Sequence, residues 1–226
     1  TFFVVSGVGQ ASAGFVVDRL GARPLLFVAL GIFIVACVAA SLVTGYTGLM
    51  LVAALAGLGN ATFHPVDFTI LNQRVSAPRL GYAFSAHGLT GNLGWAAAPV
   101  FFAVLGAAIG WRNAYVAAAL MYAGILALMV LQRDKLSTQV AIRDPQAIAK
   151  GHAEHDMAFM KLPVVWWCFG FFLLSTMTLA VVQSFSVSIL KAMHGISFEA
   201  ATYTLTAYML CGAMGMFVGG FIAARS

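Results

Sequence analysis

Gly14-Phe15-Val16-Val17-Asp18-Arg19-Leu20-Gly21-Ala22-Arg23-Pro24 is a short charged stretch between two long apolar runs. Only 8% of the 226 residues are charged, so one acid and two arginines within ten positions mark a place where the chain meets water. The runs on either side fit the length of a membrane-spanning helix, ~20 mostly apolar residues. Hydrophobic residues make up 62% of the chain, more than a soluble domain of this size can bury. The runs are continuous rather than alternating in ~10-residue segments, which excludes a β-barrel. The fold class is therefore an all-α polytopic membrane protein.

Working outward, seven apolar segments are expected to span: about 1–17, 24–43, 49–72, 80–105, 110–131, 163–190 and 199–224. The first starts inside an apolar run at Thr1, and the last breaks off at Ala224-Arg225-Ser226, so the chain reads as a fragment of a longer protein. No signal peptide is visible. The links alternate in character. Those at 18–23, 73–79 and 132–162, with Arg225, hold ten of the twelve Lys and Arg. The opposite links keep only Arg112 and Lys191. The excess of positive charge assigns the first set to the cytoplasmic side. Trp111 and the Trp166-Trp167 pair begin two of the spans, as interfacial aromatic belts do.

Cys37, Cys168 and Cys211 lie inside apolar runs at unrelated spacings and read as packing residues. His152, Glu154, His155 and Asp156 match no common metal-ligand spacing, so the 132–162 link reads as a solvated connector and no metal is expected. Gly14-Phe15-Val16-Val17-Asp18-Arg19 aligns with Gly220-Phe221-Ile222-Ala223-Ala224-Arg225, and upstream Gly9 aligns with Gly215. Six spans separate the two copies, the period of a duplicated six-helix half. The division expected is 1–131 as part of a first bundle, 132–162 as the link, and 163–226 as the start of a second bundle.

Gly14, Asp18, Arg19, Gly21 and Arg23 form a Gly-x-x-x-Asp-Arg-x-Gly-x-Arg pattern between two spans. The pattern resembles the signature loop of the major facilitator superfamily of secondary transporters. The resemblance covers the whole chain. It implies a two-bundle architecture in which the seven spans are the second to the eighth of twelve, with the first helix and the last four missing. It also implies a gating role: the loop is a latch that breaks and re-forms as the bundles rock. Gly14 would admit a close helix neighbour, Asp18 would pair with arginines or with a helix N-terminus, and Arg19 and Arg23 would hold the loop at the cytoplasmic face. The second copy has Ala224 where Asp18 stands, so its latch is weaker or absent. Gly57-Leu58-Gly59-Asn60-Ala61-Thr62-Phe63-His64-Pro65 resembles the branch that includes fosmidomycin-resistance-like exporters. Many proton-coupled members carry an arginine four residues before the glycine matching Gly57. Here that residue is Ala53.

Ionisable groups inside a membrane are costly and point to function. Asn60, His64 and Asp67 are spaced to share one face of a continuous helix. Pro65 removes a backbone hydrogen bond and is expected to kink that helix. The next span carries Ser85, His87 and Asn92, and the short 73–79 link makes the two spans an antiparallel hairpin. Measured from the turn, His64 matches His87 in depth, and Asn60 matches Asn92. Asn60, His64, Asp67, His87, Asn92, Gln183 and Gln10 are the expected substrate or proton pathway. His64 or Asp67 is the expected proton carrier, because imidazole titrates near neutral pH; pairing of Asp67 with Arg74 is the structural alternative. Gly88, Gly91, Gly94 and Pro99 are expected to pack helices closely, in a spacing that loosely resembles the antiporter motif of the superfamily.

The function expected is a secondary active transporter moving a small organic solute or drug by alternating access with proton coupling. Its partners would be the substrate, protons and the lipid bilayer, with no nucleic acid and no cofactor. Its place would be the cell (plasma or inner) membrane, multi-pass. The rivals are a non-transporting membrane sensor and an intramembrane enzyme using His64, Asp67 and His87. The chain has no Walker loop and no recognisable catalytic set, so an enzyme is not expected.

Overall fold

In the computed structural model, residues 1–138 and 158–223 are described. They form eight α-helices: α1 (Phe2–Leu20), α2 (Ala22–Leu42), α3 (Tyr46–Asn60), α4 (Phe63–Arg74), α5 (Leu80–Ile109), α6 (Trp111–Leu131), α7 (Pro163–His194) and α8 (Phe198–Ala223). Short 3-10 turns at Ala77–Arg79, Arg133–Leu136 and Ala158–Lys161 accompany them. Six segments are long and apolar enough to cross a membrane: Ala22–Leu42, Tyr46–Arg74, Ala77–Ile109, Trp111–Leu131, Pro163–His194 and Phe198–Gly219. The remaining expected span, α1, is a helix of 19 residues, but Gln10, Asp18 and Arg19 lie inside it. The link expected at 18–23 shrinks accordingly to Gly21 alone, with Asp18 and Arg19 in the last turn of α1 and Arg23 in the first turn of α2. Gly21 turns the chain with φ 82° and ψ 159°, a conformation that a Cβ disfavours. Gly110 repeats the device between α5 and α6, with φ 82° and ψ 150°.

Packing divides the chain into one unit of Thr1–Ala141 with Met209–Ser226 and another of Ile142–Tyr208. In the first unit, α2 is the most buried helix. Ala22, Leu25, Leu26, Ala29, Leu30, Ala36, Cys37, Ala40 and Ser41 are its buried residues, a stripe at helical spacing. Small residues on α6, Ala114, Ala118 and Ala119, are buried as well, and Cys37 packs with Ala118 and Ala119. Without a hydrophobic force between helices in lipid, such small side chains bring backbones into dispersion contact. A second cluster of Val17, Ala22, Leu25, Leu26, Leu30 and Val66 joins α1, α2 and α4. Phe33 of α2 bridges two neighbours, with ring centroids 5.6 Å from Phe63 and 5.2 Å from Tyr122.

Both ends of α2 are tied to the flanks of α6. At one end the Ala22 amide donates to Thr138 Oγ1 at 3.1 Å and Arg23 Nη1 donates to the Arg133 carbonyl at 3.5 Å. At the other, Arg112 Nη2 donates to the Val43 carbonyl at 3.0 Å, with its guanidinium 4.2 Å from the Trp111 ring centroid. Arg74, at the end of α4, joins the first group through the Asp134 and Ser137 carbonyls. The arginine-bearing links thus meet at one end of the unit, and Arg112 marks the other.

The helix expected over 49–72 with a kink at Pro65 is interrupted at Ala61-Thr62, where the backbone stays right-handed helical. Pro65 has no amide to bond the Ala61 carbonyl, and its ring would clash with that carbonyl in a continuous helix. The break therefore falls one turn before the proline, which sits in the first turn of α4. Close helix approach is carried by glycines next to this break. A Cβ on Gly57 would stand 2.6 Å from the Phe2 carbonyl oxygen, one on Gly9 2.7 Å from Ala61 Cβ, and one on Gly59 3.1 Å from the Ile32 and Phe33 side chains. A Cβ on Gly14, Gly91 or Gly94 would meet nothing within 4 Å, so among the described residues no neighbour uses those three for close approach.

The second unit contains α7 and the first part of α8. Gly195, at φ 62°, ends α7, and its amide bonds the Lys191 carbonyl. Ser197 Oγ then accepts the Ala200 amide at 3.2 Å, capping the start of α8.

Gly57→Ala is expected to destabilise the protein by about 1–3 kcal/mol, because the added methyl meets backbone rather than a movable side chain. Thermal unfolding in lipid nanodiscs, with Gly14→Ala as the near-neutral control, checks this.

Candidate functional site

The break at Ala61-Thr62 sorts the polar residues of the fourth span into two groups. Asn60 closes α3, whereas His64 and Asp67 lie in the first turns of α4, and the backbone between them stays right-handed helical at Ala61 and Thr62. Asn60 Nδ2 donates to Ser6 Oγ at 2.8 Å, linking α3 to α1. Ser6 is buried, and its hydroxyl is thereby paired within the bundle.

Asp67 turns to α5. Its Oδ2 lies 3.6 Å from His87 Nε2, with both side chains partly exposed. Arg74, the alternative partner, is engaged elsewhere: its Nε donates to the Ser137 carbonyl at 2.8 Å and its Nη2 to the Asp134 carbonyl at 3.2 Å and to Ser137 Oγ. His64 is exposed, and its ring centroid is 5.7 Å from that of Phe68. Phe68 in turn lies edge-on 5.3 Å from Phe84 and 6.4 Å from His87. Both imidazoles thus lie near the Phe68 ring. His64 and His87 share a neighbourhood, as their common depth implies, but the acid pairs with His87.

The Phe-His-Pro run divides into three separate tasks. Phe63 packs on Phe33 in the interior, His64 faces out, and Pro65 sets the break. Asn92 bonds within its own helix, Nδ2 donating to the Gly88 carbonyl at 2.9 Å, and approaches Met216 Sδ at 3.6 Å. A Cβ on Gly88 would come within 2.6 Å of the same sulfur. Asn60 and Asn92, matched in depth, thus have different partners.

A cavity of about 780 Å³ opens between α2, α3, α5 and α6. Asn60, Trp95, Phe101, Phe102, Tyr115 and Tyr122 are among its lining residues, and Gly91 and Gly94 leave its α5 wall low. Pro99 lies inside α5. Gln10 lies on α1, and Gln183 lies on α7 in the other unit. In the charged turn, Asp18 and Arg19 are exposed and Arg23 is half-buried. Arg225 and Ala224, and His152, Glu154, His155 and Asp156, lie outside the described residues.

Ser6, Phe68 and Thr138 were not singled out in the sequence. A serine in an apolar run gives no signal beyond weak polarity, and an aromatic at helical spacing reads as packing. Thr138 had no signal at all, since its contact lies 116 residues away.

The helices, their apolar length and the alternation of charged links define a polytopic helical membrane protein with a paired acid and imidazole between two of its spans. The Major Facilitator Superfamily profile matches residues 1–226, and the chain belongs to that superfamily. Its members are secondary transporters that move small molecules across a lipid bilayer, and the chain is accordingly an integral, multi-pass membrane protein of a transporter family. Comparison with curated protein sequences gave no match.

A double-mutant cycle of Asp67→Asn and His87→Gln is expected to give a coupling of about 0.5–1 kcal/mol, the range for a partly exposed ion pair. Denaturant unfolding in mixed micelles measures it, and additivity of the two changes would remove the pair from the site.

Proposed function

We propose that the chain is part of a proton-coupled transporter of small organic solutes that works by alternating access. The observation that carries this reading is the Asp67–His87 pair, which bridges α4 and α5 a few residues from a helix break. Broken helices in transporters place backbone and side chains at a pathway that a continuous helix would seal. A carboxylate facing an imidazole is a site where a proton can be held, shared or released. With the proton present, His87 is a cation attracted to Asp67, and α4 and α5 are drawn together. With it gone, that charge attraction is lost and the helices are freer to part. His64, exposed and near the same Phe68 ring, is the next group for proton exchange with water.

In this reading Asn60 belongs to the solute path through its place in the cavity wall. Gln10 and Gln183 contribute from α1 and α7, and Asn92 supports the α5 wall. The turn at Gly14–Arg23 controls opening rather than selection. Residues 1–131 and 163–226 belong to two bundles joined by the 132–162 link, in the plasma or inner membrane.

The test uses the whole protein in proteoliposomes, with a panel of radiolabelled drugs and organic acids screened for counterflow. An imposed pH gradient is expected to raise accumulation of a transported compound about tenfold or more. Asp67→Asn is expected to abolish that gain while leaving counterflow, which needs no net proton movement. Gradient-insensitive flux in the wild type would sink proton coupling. Binding without counterflow would favour a sensor, and chemical turnover of the solute an enzyme.

A further inference from the structure

Residues after α6 do more than lead away from the bundle. The 3-10 turn Arg133–Leu136 and the following Ser137-Thr138 fold back over the arginine-rich end of the first unit. Besides the Arg23 bond to the Arg133 carbonyl, three contacts hold them. Leu136 packs onto the cluster of Val17, Ala22, Leu25, Leu26, Leu30 and Val66. Arg74 donates to the Asp134 and Ser137 carbonyls and to Ser137 Oγ from the end of α4. Thr138 Oγ1 accepts the Ala22 amide at 3.1 Å.

The third contact replaces a missing part. An α-helix leaves its first N–H groups unpaired, and a local side chain usually caps them. At α2 the capping position is Gly21, which has no side chain. Gly21 is held to glycine by its positive φ, so the turn that reverses the chain also removes the local cap. Ala22 is wholly buried, so water does not supply the bond. Pro24 brings no amide of its own, which lowers the number of donors to be met. Thr138 therefore supplies at long range the cap that Gly21 lacks.

The other side of this arrangement is exposed. Arg74, Asp134 and Ser137 face solvent, beside a space of about 520 Å³ lined by Gln73, Arg74, Ser137 and Thr138. Water competes for those bonds, so they are made and broken more easily than the buried one. We propose that Arg133–Thr138 is a releasable strap: it caps α2 across the Gly21 turn, is held down by Arg74, and makes the Asp18–Arg23 turn and the start of the 132–162 link move together. Arg74 acts on α2 only through the strap.

That indirect action gives the test. Hydrogen–deuterium exchange of the chain in lipid nanodiscs reads the segments 20–26 and 133–138 separately. Thr138→Val is expected to speed exchange in 20–26 about fivefold, the loss expected for a helix cap, and Thr138→Ser to leave it at the wild-type rate. Arg74→Gln, which removes no contact to α2, is expected to speed exchange in both segments about threefold. Maleimide labelling of Leu136→Cys is expected to accelerate in the Arg74→Gln background as the strap lifts. Unchanged exchange in 20–26 for Arg74→Gln overturns the strap and leaves Thr138 a local cap. Equal rates for Thr138→Ser and Thr138→Val overturn the cap. Arg74 is exposed, so its variant carries the test by itself should Thr138→Val fail to fold.

Discussion

A helix in a membrane must have its end groups met, and α2 meets them with one residue from the first turn of α6 and one from beyond its end. Thr138 accepts the first amide and Arg112 donates to the Val43 carbonyl at the far end. Between these ties, a stripe of alanines and leucines on α2 faces the small residues of α6. The two helices run antiparallel, and α1, α3 and α4 assemble on what remains of the α2 surface. Phe33 shows the consequence: one side chain on α2 touches both Phe63 of α4 and Tyr122 of α6.

The proline of the fourth span has the next widest effect. The interruption at Ala61-Thr62 lies between Asn60, which bonds Ser6 of α1, and Asp67, which faces His87 of α5. The break thus separates a structural polar contact, Asn60 to Ser6, from a titratable one, Asp67 to His87. In a lipid interior that separation matters, because a polar group without a partner is costly and a partnered one is silent until its charge changes.

Glycines do two different jobs here. Gly21 and Gly110 turn the chain at positive φ, each as the whole connection between two helices. Gly9, Gly57 and Gly59 instead make room for neighbours, and the Gly57-Leu58-Gly59 run is spaced so that one glycine meets α1 and the other α2. Its place beside Asn60 and Pro65 follows from packing and helix interruption at one crossing.

The sequence by itself determined that this is a helical membrane protein, where six of its spans run, and which links lie together. Those follow from the apolar length a bilayer demands and from the clustering of Arg and Lys, both one-dimensional properties of the chain. The family was legible for the same reason, since Gly14, Asp18, Arg19, Gly21 and Arg23 are contiguous. Depth was legible too, through the rise of a helix, and His64 and His87 do meet the same aromatic ring. Rotation was not. Whether Asp67 faces Arg74 or His87, whether Gly14 or Gly57 admits a neighbour, and that Thr138 caps a helix begun 116 residues earlier were decided only by tertiary packing. A helix face is set by what the helix packs against, and hydropathy in a membrane span is nearly the same all the way round.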